Sequence, residues 1–317
     1  MFRGLTMSLF DVTLPPAATG DEKNFKDLLG AMEQFYAGMQ SVAGDTSNKT
    51  KEYYTLEIAL SSSSNEVVVY AAVPKNKGQL FEKQVLSFYT DAKVREVSDD
   101  YNIFSVGGAS SGAYASLSEN PIMPIKTHDM LDHDPMQAVL NVFSKMKREG
   151  EGAAIQFTII PAGDTFIKRF TSILKDVKDG LSIKEANEKY KVGSAILSAS
   201  KNLLFGSGKE KDKEKKIDDN AINHISEKIK SSILEVGIRV IASAETKERA
   251  DDILIELESA FNQFNDPGSN RFAFNKISDK NLPGLFHEYS YRLINESENL
   301  PLNLKEISTV FHFPVGV

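Results

Sequence analysis

Between Val67 and Val73 the chain reads Val-Val-Val-Tyr-Ala-Ala-Val before Pro74 stops it. A strand with one wet face would alternate, so a run this continuous and β-branched reads as a strand covered on both faces. A chain carrying such a strand has to build a sheet around it. Three alternating stretches supply candidates: Tyr54, Leu56, Ile58 and Leu60; Ile155, Phe157 and Ile159, with Gln156 and Thr158 on the other side; and Leu234, Val236, Ile238, Val240 and Ala242. Each has the period of two that a strand with one apolar face requires.

Helical spacing falls between these strands. Phe25, Leu28, Leu29, Met32, Phe35, Tyr36 and Met39 form one apolar face after a Pro-Pro-Ala-Ala-Thr-Gly loop in which Asp21 serves as a cap. Leu80, Phe81, Val85 and Phe88 mark a helix over 77–89, and Ala138, Val139, Val142, Phe143 and Met146 mark one opened by Pro135, with Asp134 as its cap. Strands are predicted near 94–105 and 114–117, joined by a mobile Gly107–Gly112 hairpin connection. From Val67 to Ile160 the order is therefore β-α-β-β-α-β, the split arrangement called ferredoxin-like, with Tyr53–Leu60 as an added strand. The remainder repeats the order less completely: helices near 166–179 and 183–190, the 234–242 strand, a long helix through Phe264, strands near 271–277 and 288–293, and a short helix near 303–310. No sequence repeat accompanies this repeat of order.

The predicted fold class is thus α+β: two ferredoxin-like antiparallel sheet domains with helices on one face. The expected divisions are 1–50, an N-terminal helix and linker; 51–163, the first domain; 164–310, the second, with a Lys-rich insertion near 206–216; and 311–317, a terminal segment. A length of 317 residues suits two domains.

Composition removes several function classes. There is no cysteine, which excludes disulfide frameworks, thiolate nucleophiles and sulfur-ligated zinc. The 37 Lys and Arg against 44 Asp and Glu leave a net charge of −7, which argues against a broad phosphate-binding face. A spanning helix needs about 20 apolar residues, and the longest candidate, Ala153–Gly163, falls short of that. The opening Met1–Phe10 meets Asp11 and Pro15-Pro16 before an export-signal core can form.

Four groups of residues invite chemistry. Gly206-Ser207-Gly208-Lys209 suggests a phosphate loop, but the first glycine of that motif would fall at Leu203 and its magnesium-binding hydroxyl at Glu210. Lys209–Lys216 reads better as a solvated charged loop. The cluster His128, Asp129, Asp132, His133 and Asp134 has the donors for a zinc, manganese or iron ion, and with it a metal-dependent phosphohydrolase; the simpler reading has Asp134 capping a helix and its neighbours wet. Gly107–Gly112 could cradle an anion but lacks a following amphipathic helix and a neighbouring cation. Finally, a ferredoxin-like sheet can stack single-stranded RNA on aromatics; Ile155 and Ile159 beside Phe157 favour core, and the basic-aromatic signature of such modules is missing.

Several stretches resemble the region preceding the motor in conjugative DNA-transfer ATPases of the type IV secretion class. They are Leu14-Pro15-Pro16, Tyr53–Val73 with Pro74-Lys75, Glu82–Tyr89, Asp134-Pro135-Met136, Glu149–Gln156 and the closing Phe311-His312-Phe313-Pro314. The resemblance covers most of the chain, and its motifs are structural. It implies a non-catalytic assembly or docking module in the cytoplasm, near the inner face of the inner membrane. Its partners would be a motor domain and other secretion-system proteins, and it would oligomerise only with that motor. Phe311, His312, Phe313 and Pro314 would be the junction to the motor. The family's catalytic lysine and carboxylates have no match here, so the resemblance implies no catalytic residue, no cofactor and no metal in this chain.

Overall fold

The computed structural model describes residues 6–15, 25–43, 52–62, 66–147, 149–190 and 218–315. The Gly206–Lys209 motif, the Lys-rich stretch after it and the Asp21 cap lie outside these residues. Nine strands form one antiparallel sheet: β1 (Met7–Thr13), β2 (Tyr54–Leu60), β3 (Val67–Pro74), β4 (Lys93–Val97), β5 (Ala109–Leu117), β6 (Gly152–Pro161), β7 (Ile233–Ala244), β8 (Phe272–Lys276) and β9 (Leu300–Asn303). Their spatial order is β4-β1-β3-β2-β6-β7-β5-β8, with β9 alongside the start of β7. The α-helices among the described residues are α1 (Phe25–Met39), α2 (Gly78–Phe88), α3 (Met136–Lys145), α4 (Thr165–Lys178), α5 (Ile183–Lys189), α6 (Asp219–Lys228), α7 (Lys247–Ala260), α8 (Leu282–Ser290) and α9 (Leu304–Val310).

The fold is α+β, and its pairing departs from the expected grouping in one respect. The strands between Val67 and Ile160 do not form one unit: β3 pairs with β1 and β2, β4 with β1, β5 with β7 and β8, and β6 with β2 and β7. The reason is β1, whose Phe10 and Val12 face the core and whose ladder to β3 occupies the place assigned to a later strand. The first half runs β1-α1-β2-β3-α2-β4 in the order β4-β1-β3-β2; the second runs β5-α3-β6-β7-α7-β8 in the order β8-β5-β7-β6. The halves meet along β2 and β6, from Tyr54↔Ile159 to Leu60↔Ala153. In the pairing of the strands, the second such order begins at β5.

One face of the sheet carries the main core. Leu56, Ile58, Ile155, Phe157, Val236, Ile238 and Val240 point into it and meet α1, α2, α3, α7 and α9. Burial of such side chains contributes about 1.5–3 kcal/mol each. A satellite core joins Phe170, Ile173, Leu174 and Val177 of α4, at helical spacing, to Ala186 of α5 and Ile225 of α6.

The expectation of helices on one face fails at α8, a helix that takes up the start of the strand expected at 288–293. Leu282, Leu285 and Tyr289 sit three and four residues apart and pack on Ala59, Ala154 and Ile241 of the far face. Pro283 starts this helix in the first turn, where its missing N–H costs nothing.

Candidate functional site

The cluster in the loop before α3 is divided among three elements. His128 Nε2 stands 2.8 Å from Glu33 Oε1 on α1. Asp129 accepts from Thr127 Oγ1 at 2.6 Å and pairs with Lys305 Nζ of α9 at 3.0 Å. Asp134 Oδ1 lies 2.8 Å from His312 Nε2 and also accepts from the Met136 amide at 2.8 Å. Asp132 and His133 are exposed. Among the described residues no three His, Asp or Glu side chains converge as a metal-binding group. Of the four donors in the phosphohydrolase reading, His128 and Asp129 are engaged by Glu33 and Lys305 on other elements, while Asp132 and His133 face outward. Asp134 binds the first turn of α3 as expected. Burial alone would push its carboxyl up, but the bond and charge of His312 and the Met136 amide outweigh it and hold it below the usual range.

The closing segment is part of the core. Phe311, His312, Phe313 and Pro314 are all buried. The Phe311 ring lies 5.1 Å from Phe157 of β6, in the second half, while Phe313 lies 5.4 Å from Phe35 of α1 and 5.5 Å from Tyr89, in the first. Tyr36 Oη donates to the Phe311 carbonyl at 3.2 Å, and Val315 bridges Leu14. The four residues expected to be a junction are thus buried: Phe311 and Phe313 clamp the two halves together over the helix side of β2 and β6, and His312 is tied to Asp134.

The far side of the same seam holds a polar row that the sequence reading missed. Glu57, Gln156 and Arg239 stand opposite one another on β2, β6 and β7, on the face away from the main core. Gln156 relays between them: its Nε2 donates to Glu57 Oε1 at 3.0 Å and to the Tyr289 carbonyl at 3.0 Å, and its Oε1 accepts from Arg239 Nη1 at 3.2 Å. Glu57 is fully buried and saturated, accepting from Thr55 Oγ1, Tyr101 Oη, and Arg292 Nε and Nη2 at 3.1, 2.8, 2.7 and 2.9 Å. Arg239 bonds Glu298, Glu288 and the Leu293 carbonyl at 3.1, 3.2 and 2.7 Å. Tyr289 Oη donates to Tyr101 Oη at 2.7 Å, and burial pushes both phenols well up, so they serve as hydrogen-bonding groups. Every lone pair of Glu57 is engaged, and the row ties the end of α8 to three strands of the sheet. The sequence signal was a polar residue at the centre of each of three apolar strands.

The glycines near β5 have a packing reason. A Cβ at Gly108 would stand 2.4 Å from the Ala244 carbonyl oxygen, and one at Gly112 would stand 2.5 Å from Leu285 of α8. Gly112 lies inside β5, not in a hairpin connection. Beside Gly107 and Gly150 a surface groove of about 510 Å³ includes Lys147 and Arg249. The cation missing from the local sequence is present, but Arg249 is committed to Glu151 through bonds of 2.8 and 3.1 Å. Phe157, the aromatic considered for RNA stacking, points into the core at 1% exposure.

A search of the curated proteins finds no match to this chain. The family model described as Domain of unknown function (DUF8128) matches residues 22–315, which include the clamp and the polar row alike. The protein therefore belongs to the DUF8128 family.

Proposed function

We propose that this chain is a non-catalytic assembly module of a conjugative DNA-transfer ATPase of the type IV secretion class, built from two ferredoxin-like units fused edge to edge through β2 and β6. The strand orders β4-β1-β3-β2 and β8-β5-β7-β6 support the two-unit reading, each being the split β-α-β-β-α-β arrangement. The observation that carries the functional reading is the mounting of the closing segment. Phe311 packs on one unit, Phe313 on the other, and His312 is tied to Asp134, so a body attached there would turn with both units as one. Docking and orienting a motor asks for such rigidity. No helix among the described residues is long and apolar enough to cross a membrane.

The test mixes the purified chain with the separately purified motor domain of a transfer ATPase from the same genome, followed by sedimentation and ATP turnover. The expected result is a complex, with turnover only where the motor is present. Absence of a complex, or turnover by the chain alone, would overturn the proposal.

A further inference from the structure

We infer that Arg292 is a latch that holds α8 and the segment after it closed over the seam between the two halves of the sheet. Helix α8 ends in a Schellman arrangement: the Leu293 amide donates to the Glu288 carbonyl at 2.7 Å and the Arg292 amide to the Tyr289 carbonyl at 3.0 Å. Arg292 thus occupies the left-handed position after the cap, with φ of 52°. Glycine is the residue that fits this conformation without a steric cost. The chain uses glycine at the equivalent place after α4, where Gly180 has φ of 92° and the Gly180 and Leu181 amides donate to Val177 and Asp176. At 292 the local preference is set aside, and the side chain shows why.

The Arg292 guanidinium leaves its own half and grips the other. It bonds both oxygens of Glu57 on β2 and both oxygens of Asp100 in the loop after β4, the latter at 2.8 and 2.9 Å. Its carbonyl accepts from Tyr53 Oη at 2.8 Å. Arg292 is the one cation bonded to Glu57 among the described residues, so a buried charge depends on it. Asp100 is 44% exposed, which places one end of the latch in water and the other in the interior. Opening it would lift α8 from Gly112 and uncover the Glu57–Gln156–Arg239 row.

Arg292→Gly separates the latch from an ordinary cap. If Arg292 served only the helix end, glycine would leave stability and amide exchange unchanged or improved. The latch requires the reverse: Arg292→Gly stays folded by circular dichroism, while the amides of α8 and of β2 around Glu57 exchange at least ten-fold faster. Should that variant fail to fold, Arg292→Gly with Glu57→Gln removes the stranded charge. The double variant is then expected to fold, with α8 still exchanging at least ten-fold faster than in the parent. Parent-like protection of α8 in whichever of the two variants folds would overturn the inference.

Discussion

Lys228 and Glu306 form an ion pair without solvent contact, with Nζ 2.7 Å from Oε2 and both side chains 0% exposed. The pair ties the end of α6 to the first turn of α9. Glu306 also accepts the amides of Ile125 at 3.0 Å and Asn303 at 2.8 Å, the latter completing a capping box. Lys228→Met strands the carboxylate in the interior, and loss of one partner of a buried pair costs about 3–5 kcal/mol. Chemical denaturation should show that loss. Glu306→Gln in the same background relieves the charge and should recover part of it.

The closing aromatics should behave as core. Phe311→Ala or Phe313→Ala leaves a cavity between α1 and the sheet, at a cost of about 3–5 kcal/mol each. The two rings are 6.0 Å apart, so the double variant should lose less than the two single losses added together. Denaturation midpoints of the three variants check this.

Acid should weaken the clamp. The Asp134 carboxyl lies below its ordinary value of 3.8 in the folded protein, so the unfolded chain binds its proton first as pH falls. Its contribution is fully present above that ordinary value and disappears as pH drops through the lower folded value. Asp134→Asn should therefore destabilise the protein at neutral pH and flatten the stability profile below about pH 4. Urea titrations at a series of pH values give that profile.

Glycine substitutions should separate close approach from backbone strain. A Cβ at Gly152 would lie 2.2 Å from the Ile103 carbonyl oxygen, where backbone faces backbone and neither side can yield. At Gly107 the space is open and only φ of 74° resists. Gly107→Ala should cost about 1–2 kcal/mol, and Gly152→Ala clearly more. Thermal melts of both variants would rank them.

Legibility in the sequence followed the range of the interactions. The apolar periodicities of β2, β6, β7 and α1 reported one buried face directly, because each needs only one chain segment to be read; the opposite faces of β2 and β6 are buried as well only because α8 covers them. β1 escaped notice: Phe10, Val12 and Leu14 form a short alternation just before Pro15-Pro16, and its pairing with β3 is decided by tertiary contacts. The stretch 288–293 looked like a strand because its residues alternate; the helix is specified by Leu282, Pro283 and Leu285 upstream. The polar cluster at 128–134 looked like a site because its partners are remote, Glu33 at 95 residues from His128 and His312 at 178 from Asp134. Glu57, Gln156 and Arg239 were visible as polar residues in apolar strands, but their alignment exists only once β2, β6 and β7 are in register.

Residues 311–315 and the far-face cover make one body of the two halves. Native-state hydrogen exchange of the full chain beside Phe311→Ala with Phe313→Ala tests it most directly. In the parent the seam amides of β2 and β6 are expected to open together with those of α1 and β7, at one free energy. In the double variant the seam should open separately and at lower free energy than β7. Loss of protection confined to 304–315, with the seam unchanged, would contradict it.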